Sequence, residues 1–223
     1  VIEVLENSLS EVFLSKIRDK CSDVVTFRFY LDRLSKLLIA KFFEKAELEE
    51  FKIDTPIKEG IGGLRLKRNV VFIPILRAGL SMLSSALEIV PDAFVGFIGT
   101  VRNEETLRPV NYYLKFPIVD GADYVLLDPM VATGGTSEHA VNTLLSSGIP
   151  EGRIGIVCAV CAPEGIKRLA KFKNIKVVTA SVDERLNKDG YIVPGLGDAG
   201  DRFCRTENVE VVESYGVEGN KGC

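Results

Sequence analysis

The chain has 223 residues, 46% of them hydrophobic, enough to bury a full core as one domain. Acidic and basic residues are interspersed and sum to a net charge of −3, which argues against a nucleic-acid footprint and against a basic membrane-binding face. No apolar run reaches the roughly 18 residues of a membrane span, Glu3 and Glu6 stand where a secretory leader has basic charge, and the five cysteines are odd in number and scattered, so a cytoplasmic chain without a disulfide framework is expected.

Leu9, Val12, Phe13 and Ile17 recur at helical spacing, as do Phe29, Leu31, Leu34, Leu37, Leu38 and Phe42, which predicts two helices joined near Ser22 and Asp23. Residues 51–57 read as a short strand and 58–63 as a turn. From there strand, loop and helix alternate. Residues 69–75 are an apolar strand, followed by Leu76, Arg77, Ala78 and Gly79 and a helix through Val90. Residues 93–99 and 111–116 flank a polar stretch from Arg102 to Pro109, as the strands of a protruding β-hairpin arm do. Residues 124–127 form a buried strand that delivers Asp128 to its carboxyl edge, and a helix starting near Glu138 to Ala140 runs to Ser147. A strand through Cys158, a helix over 164–172 and a strand over 176–182 continue the alternation. Near-continuous apolar strands between helices predict an α/β fold with a parallel sheet flanked by helices and ligands at the strand carboxyl ends. The expected organisation is a single domain over 1–223: an N-terminal helical region (1–60), an α/β core (61–206) and a charged tail (207–223) whose glycine-rich end is expected to fray.

The segment from Asp128 to Thr136 carries the clearest chemistry. Gly134 and Gly135 let the main chain approach an anion, while Thr133, Thr136 and the helix N-terminus supply donors and partial positive charge, as a phosphate monoester requires. Asp128 would repel that phosphate and attract sugar hydroxyls, so the pair implies a ribose 5-phosphate. The lysine of a G-x-x-x-x-G-K-S/T triphosphate loop is missing. Arg77, at a strand end before a helix, suits a bidentate diphosphate clamp. Arg102 lies at the presumed arm tip, where a basic residue either closes over phosphate or is a solvated charge. Residues 190–202 crowd glycines and a proline into a constrained loop that is either a structural turn or a main-chain reader of a flat heterocycle. Cys158 and Cys161 form a C-x-x-C inside an apolar strand, read as small core residues. His139 is read as a helix-surface histidine ahead of a general base.

These segments resemble the type I phosphoribosyltransferases, and more narrowly the uracil phosphoribosyltransferase family. The likeness rests on 74–79, on Arg102 with Glu104, Glu105 and Thr106, and on 128–136, 162–165 and 191–202, in the right order over about 130 residues. It implies transfer of a phosphoribosyl group from phosphoribosyl diphosphate to N1 of uracil, giving UMP and diphosphate. By the same resemblance, Asp128, Pro129, Met130, Val131, Ala132, Thr133, Gly134, Gly135 and Thr136 hold the ribose and its 5-phosphate. Arg77 and Arg102 hold the diphosphate, and Asp198 lies near the donor. Ile192, Gly197, Asp198 and Ala199 read uracil. Arg77, Arg102 and Asp198 are the candidate catalytic residues, with Asp198 either polarising the N1 proton or purely structural. Pro129 replaces the second acid of the wider family, so Mg²⁺ is expected to ride on the diphosphate with no metal held directly by the protein. Val131, Thr136 and Asn7 are smaller departures, where relatives tend to show Leu, Ser and His. A homo-oligomer (dimer or tetramer), with GTP as activator and CTP as inhibitor, is also implied, with no nucleic acid or membrane as partner. Rival readings are transfer to another base, or a non-catalytic RNA-binding regulator. The acidic balance and the lack of a basic aromatic patch count against the regulator.

Overall fold

The computed structural model describes residues 2–102, 109–207 and 209–212, with the side chains of Arg102 and Pro109 left out. In chain order its elements are β1 (Ile2–Val4), α1 (Ser8–Arg18), α2 (Val24–Phe43), β2 (Leu48–Ile53), β3 (Ile61–Leu66), β4 (Val70–Leu76), α3 (Leu80–Ile89), β5 (Phe94–Val95), β6 (Phe97–Arg102), β7 (Pro109–Lys115) and β8 (Asp123–Leu127). They continue with β9 (Met130–Val131), α4 (Gly135–Ser146), β10 (Ile154–Cys161), α5 (Pro163–Leu169), β11 (Lys176–Val182), β12 (Arg185–Leu186), β13 (Ile192–Val193) and α6 (Ala199–Cys204).

The main sheet runs β1-β11-β10-β8-β4-β6-β7, with β5 beside β4 and β9 extending the edge of β10. All its pairings are parallel except β6 with β7, the antiparallel arm. Strands β4, β8 and β10 are buried almost throughout because helices cover both sheet faces. One core layer joins Leu31, Leu34, Leu38 and Met82 of α2 and α3 to Phe72, Val125 and Val157. The other joins Val141 and Leu144 of α4, and Leu169 of α5, to Ile73, Leu126 and Ile156. From β4 the chain builds outward to β6 and β7, then returns to place β8 on the other side. The order therefore reverses between β4 and β8, and ligands enter open α/β sheets at such a switch point.

The helix starts follow capping chemistry. Asn7 Oδ1 accepts from the Leu9 and Ser10 amides, and Asp23 Oδ1 from that of Thr26. Helix α4 begins at Gly135, three residues earlier than its apolar periodicity suggests, so the glycine pair belongs to the helix entrance itself. The stretch before residue 60 contributes strand as well as helix. β1 lies along β11, and β2 pairs with β3, whose first three residues the sequence reading assigns to a turn. The tail from 213 and the arm tip over 103–108 lie outside the described residues.

Candidate active site

Three segments meet at the switch point. The first leaves β4 at Arg77, through a cis Leu76–Arg77 peptide. The Arg77 guanidinium is half-exposed and donates from Nη2 to Asp201 Oδ1 at 3.1 Å. Burial pulls its pKa down, but the charge of Asp201, with Cys204 and Asp198, outweighs it and the net shift is upward. An arginine so placed stays charged while aiming part of its fork at open solvent.

The second segment leaves β8 at Asp128. Its carboxylate is buried, accepts from the Met130 amide at 3.3 Å, and is pushed up to about 7, chiefly by burial and further by the negative charge of Asp198, against the Met130 hydrogen bond. The chain then runs as β9 beside β10. There the Pro129 carbonyl accepts from both Ala159 and Val160 amides, at 3.0 and 3.1 Å, a local break in the regular ladder. Gly134 follows in the left-handed region (φ 73°), and α4 starts at Gly135. The Glu138 amide donates to the Gly134 carbonyl at 2.8 Å, and Gly135 donates to Thr133 Oγ1 at 3.4 Å. The first turn of a 12-residue helix thus opens seven residues beyond Asp128, its free N–H groups and partial positive charge at the same end of the sheet.

Helix α5 braces this loop. A Cβ on Gly165 would lie 2.6 Å from the Ala132 carbonyl oxygen and 2.9 Å from that of Val131, so only glycine permits the approach. Its neighbour Glu164 accepts from the Leu186 amide at 3.0 Å, and this bond holds the carboxyl below the usual range. Leu186 pairs with Ile192, so α5 touches the phosphate-type loop with one residue and the 190–202 loop with the next.

That loop is the third segment. Ile192, Leu196 and Ala199 are buried in the core, Gly197 has φ 78°, and the Val193–Pro194 peptide is cis. Asp198 caps α6 by accepting from the Asp201 amide at 2.9 Å. The sequence reading runs this loop through Arg202, whereas the structure turns it into α6 at Ala199. Arg202 is buried: it donates to the carbonyls of Ile17, of Leu196 (2.8 Å) and of Asp19 (2.8 Å), and its guanidinium carbon stands 4.4 Å from the centre of the Phe27 ring.

The expected residues are therefore brought together, with one exception. Arg102 ends β6, but its side chain and the following tip lie outside the described residues. His139, read as a helix-surface residue, is half-buried and meets Asn111 of β7, with Nε2 2.9 Å from Asn111 Oδ1, and burial lowers its pKa. Cys158 and Cys161 are buried on one sheet face because the ladder is irregular between them, at Ala159 and Val160, and hydrogen bonding to Cys161 together with burial raises the Cys158 pKa. Among the described residues no group of three or more His, Cys, Asp or Glu gathers as a metal site, and no helix is long and apolar enough to cross a membrane. The sequence reading missed Arg18 and Asp183, an ion pair beneath the 190–202 loop, and gave Arg202 no role. Nothing local marks the first two, whereas an arginine inside a glycine-rich motif was a usable signal for the third.

A family model described as uracil phosphoribosyltransferase matches residues 4–206. A uracil phosphoribosyltransferase of Ureaplasma urealyticum serovar 10 is 40% identical over 207 residues, covering 92% of this chain and 99% of its own. A protein of Aquifex aeolicus of known structure is 42% identical with a TM-score of 0.84, covering 91% of this chain and 97% of its own. The adenine phosphoribosyltransferase of Trypanosoma brucei, solved with AMP, pyrophosphate and ribose-5-phosphate, shares the fold at 12% identity, with a TM-score of 0.56 and coverage of 85% and 87%.

Proposed function

The chain belongs to the uracil phosphoribosyltransferase family, and from that premise we propose how its sheet-edge loops divide the reaction. The enzyme transfers the 5-phosphoribosyl group of phosphoribosyl diphosphate to N1 of uracil. The C1–O bond to diphosphate breaks, the C1–N1 bond forms, and the N1 proton leaves. Catalysis of this kind is mostly positioning and charge stabilisation.

The observation that carries the assignment is the meeting of Arg77, Asp128 and Asp198 where the strand order reverses. The entrance of α4, residues 133–136, takes the 5-phosphate on main-chain N–H groups and hydroxyls. Asp128 accepts from the ribose hydroxyls, and donors there relieve a carboxylate that burial otherwise holds near pH 7. Arg77, with Arg102 from the arm, neutralises the departing diphosphate. Ile192, Gly197, Asp198 and Ala199 read uracil, whose N3–H donor and O4 acceptor are reversed in cytosine, so the wrong base leaves loop groups unpaired. Mg²⁺ carried by the diphosphate would supply further charge neutralisation beside Arg77. Regulation by GTP and CTP, assembly into a homo-oligomer and a cytoplasmic location complete the reading.

The test is UMP formation from uracil and phosphoribosyl diphosphate, run beside cytosine, hypoxanthine and orotate and repeated with GTP and CTP. Equal use of another base would overturn the base assignment. An RNA gel shift abolished by phosphoribosyl diphosphate would favour the regulator instead. Asp198→Asn separates the two roles of that residue, because asparagine caps helices about as well as aspartate. Stability should hold within about 0.5 kcal/mol while kcat falls at least about tenfold; an unchanged kcat leaves Asp198 as a cap alone.

A further inference from the structure

The uracil-side loop is gripped at a single residue, through the peptide groups on both sides of it, by an ion pair outside the site. Asp183 follows β11, and its side chain is 1% exposed. Arg18, the last residue of α1, meets it fork to fork: Nη1 donates to Oδ2 at 2.7 Å and Nη2 to Oδ1 at 2.6 Å. The same two side chains hold Gly195 from both sides. Its N–H donates to Asp183 Oδ2 at 2.9 Å, and its carbonyl accepts from Arg18 Nη1 at 2.7 Å. Ser181 Oγ completes the carboxylate by donating to Oδ1 at 2.6 Å. Burial alone would raise the Asp183 carboxyl, but Arg18, Ser181 and the Gly195 amide together hold it below the usual range.

Gly195 lies between Ile192 and Gly197. Its φ is 62°, and a Cβ there would stand 2.2 Å from the Ile192 carbonyl oxygen. Fixing the orientation of the two peptide groups that meet at Gly195 therefore fixes the main chain on either side of it. An ion pair of this kind contributes little net stability over an apolar pair of equal volume, but its bonds are directional, and here every one converges on a loop peptide or on the group that orients it. We propose that Arg18 and Asp183 are positioning residues for the base, setting the main-chain N–H and C=O groups of 192–199 that uracil reads while touching no substrate themselves. This rests on the reading that the loop takes uracil.

Asp183→Asn keeps the volume but turns one acceptor oxygen into a donor, which then confronts either Arg18 or the Gly195 amide. The expected result is a KM for uracil raised about tenfold or more, consistent with a lost charged hydrogen bond. KM for phosphoribosyl diphosphate and kcat stay within about twofold or threefold. Arg18→Lys keeps the charge, loses the fork, and should give the same pattern more weakly. Ser181→Ala removes one hydrogen bond and no charge, and carries the measurement if neither charged variant folds. A merely structural pair predicts lower Tm with both KM values unchanged in the protein that remains folded. That outcome, or a parallel rise of both KM values, overturns the proposal. Wild-type protein that forms no UMP from uracil would instead remove the underlying functional reading.

Discussion

The loop over 128–136 and the loop over 190–202 come together at the switch point, where the charge of Asp198 acts on Asp128, yet they are held in place by different physics. The first is a continuous strand–turn–helix whose supports are main chain: β9 pairs with β10, Gly134 turns the corner, and the Gly165 backbone fills the space behind. The second is a loop of small residues held by charged side chains, Arg18 and Asp183 from elsewhere in the chain and Arg202 from its own end. Arg18 and Arg202 reach across it between α1 and the carbonyls of Gly195, Leu196, Ile17 and Asp19. On the proposed division of labour, a loop that takes a sugar phosphate can be built from backbone, whereas a loop that is to hold one base against its near-isosteres needs its peptides fixed in orientation, and charged hydrogen bonds do that.

The largest expected effect falls between the two loops. Arg77→Ala should lower kcat/KM by about 100-fold or more, as loss of a charge-stabilising donor does. Stability should hardly change, since its partner is an exposed carboxylate. Arg102→Ala should lower kcat more than it weakens uracil binding. A loss confined to KM for uracil in either variant would place that arginine on the base side. Asp128 gives the next effect. Its folded pKa, about 7, lies above the unfolded value, so the folded state holds a proton that the unfolded state has lost between about pH 4 and 7. The destabilisation is absent below about pH 4 and complete above about pH 7. Asp128→Asn removes it, so the ligand-free variant should be the more stable by up to roughly 4 kcal/mol at pH 8 and equal to wild type near pH 4. Urea midpoints across that range decide it; a gap that does not vary with pH would mean that the carboxyl is not desolvated as built. Arg202→Met tests the other loop. Leaving buried carbonyls without donors should cost about 2–3 kcal/mol and raise KM for uracil alone. An equal rise for phosphoribosyl diphosphate would mean that the loops are not separately supported.

The same division governs what could be read from the sequence. Strands β4, β8 and β10 are legible because burial on both faces leaves unbroken apolar runs, and the turn at 133–135 because its glycines sit beside the helix they open. Strand β1 is three residues long with Glu3 at its centre, too little for a pattern, and its sheet position comes from β11. Helix α6 is masked by Gly195, Gly197 and Gly200, which read as loop until the Asp198 cap is seen. Arg18 looks like any basic residue ending a helix, and the partner that gives it meaning lies 165 positions away. Local chemistry leaves a local trace, and a contact at that separation leaves none.

The irregularity at Ala159 and Val160 reaches further than its size. Along a regular strand Cys158 and Cys161 would point to opposite sides of the sheet; where both amides turn to the Pro129 carbonyl the alternation slips, so they share a face while Val160 and Ala162 join the layer of α2, and the register against β8 and β9 is kept (Val157 opposite Leu127, Val160 opposite Met130). The strand thus ends half a period out of step with its beginning, and α5 departs in a phase that brings Gly165 under the Val131 and Ala132 carbonyls and Glu164 under Leu186. Deleting Ala159 would throw the rest of the strand out of register with its neighbours, and would rotate away the helix on which both loops lean.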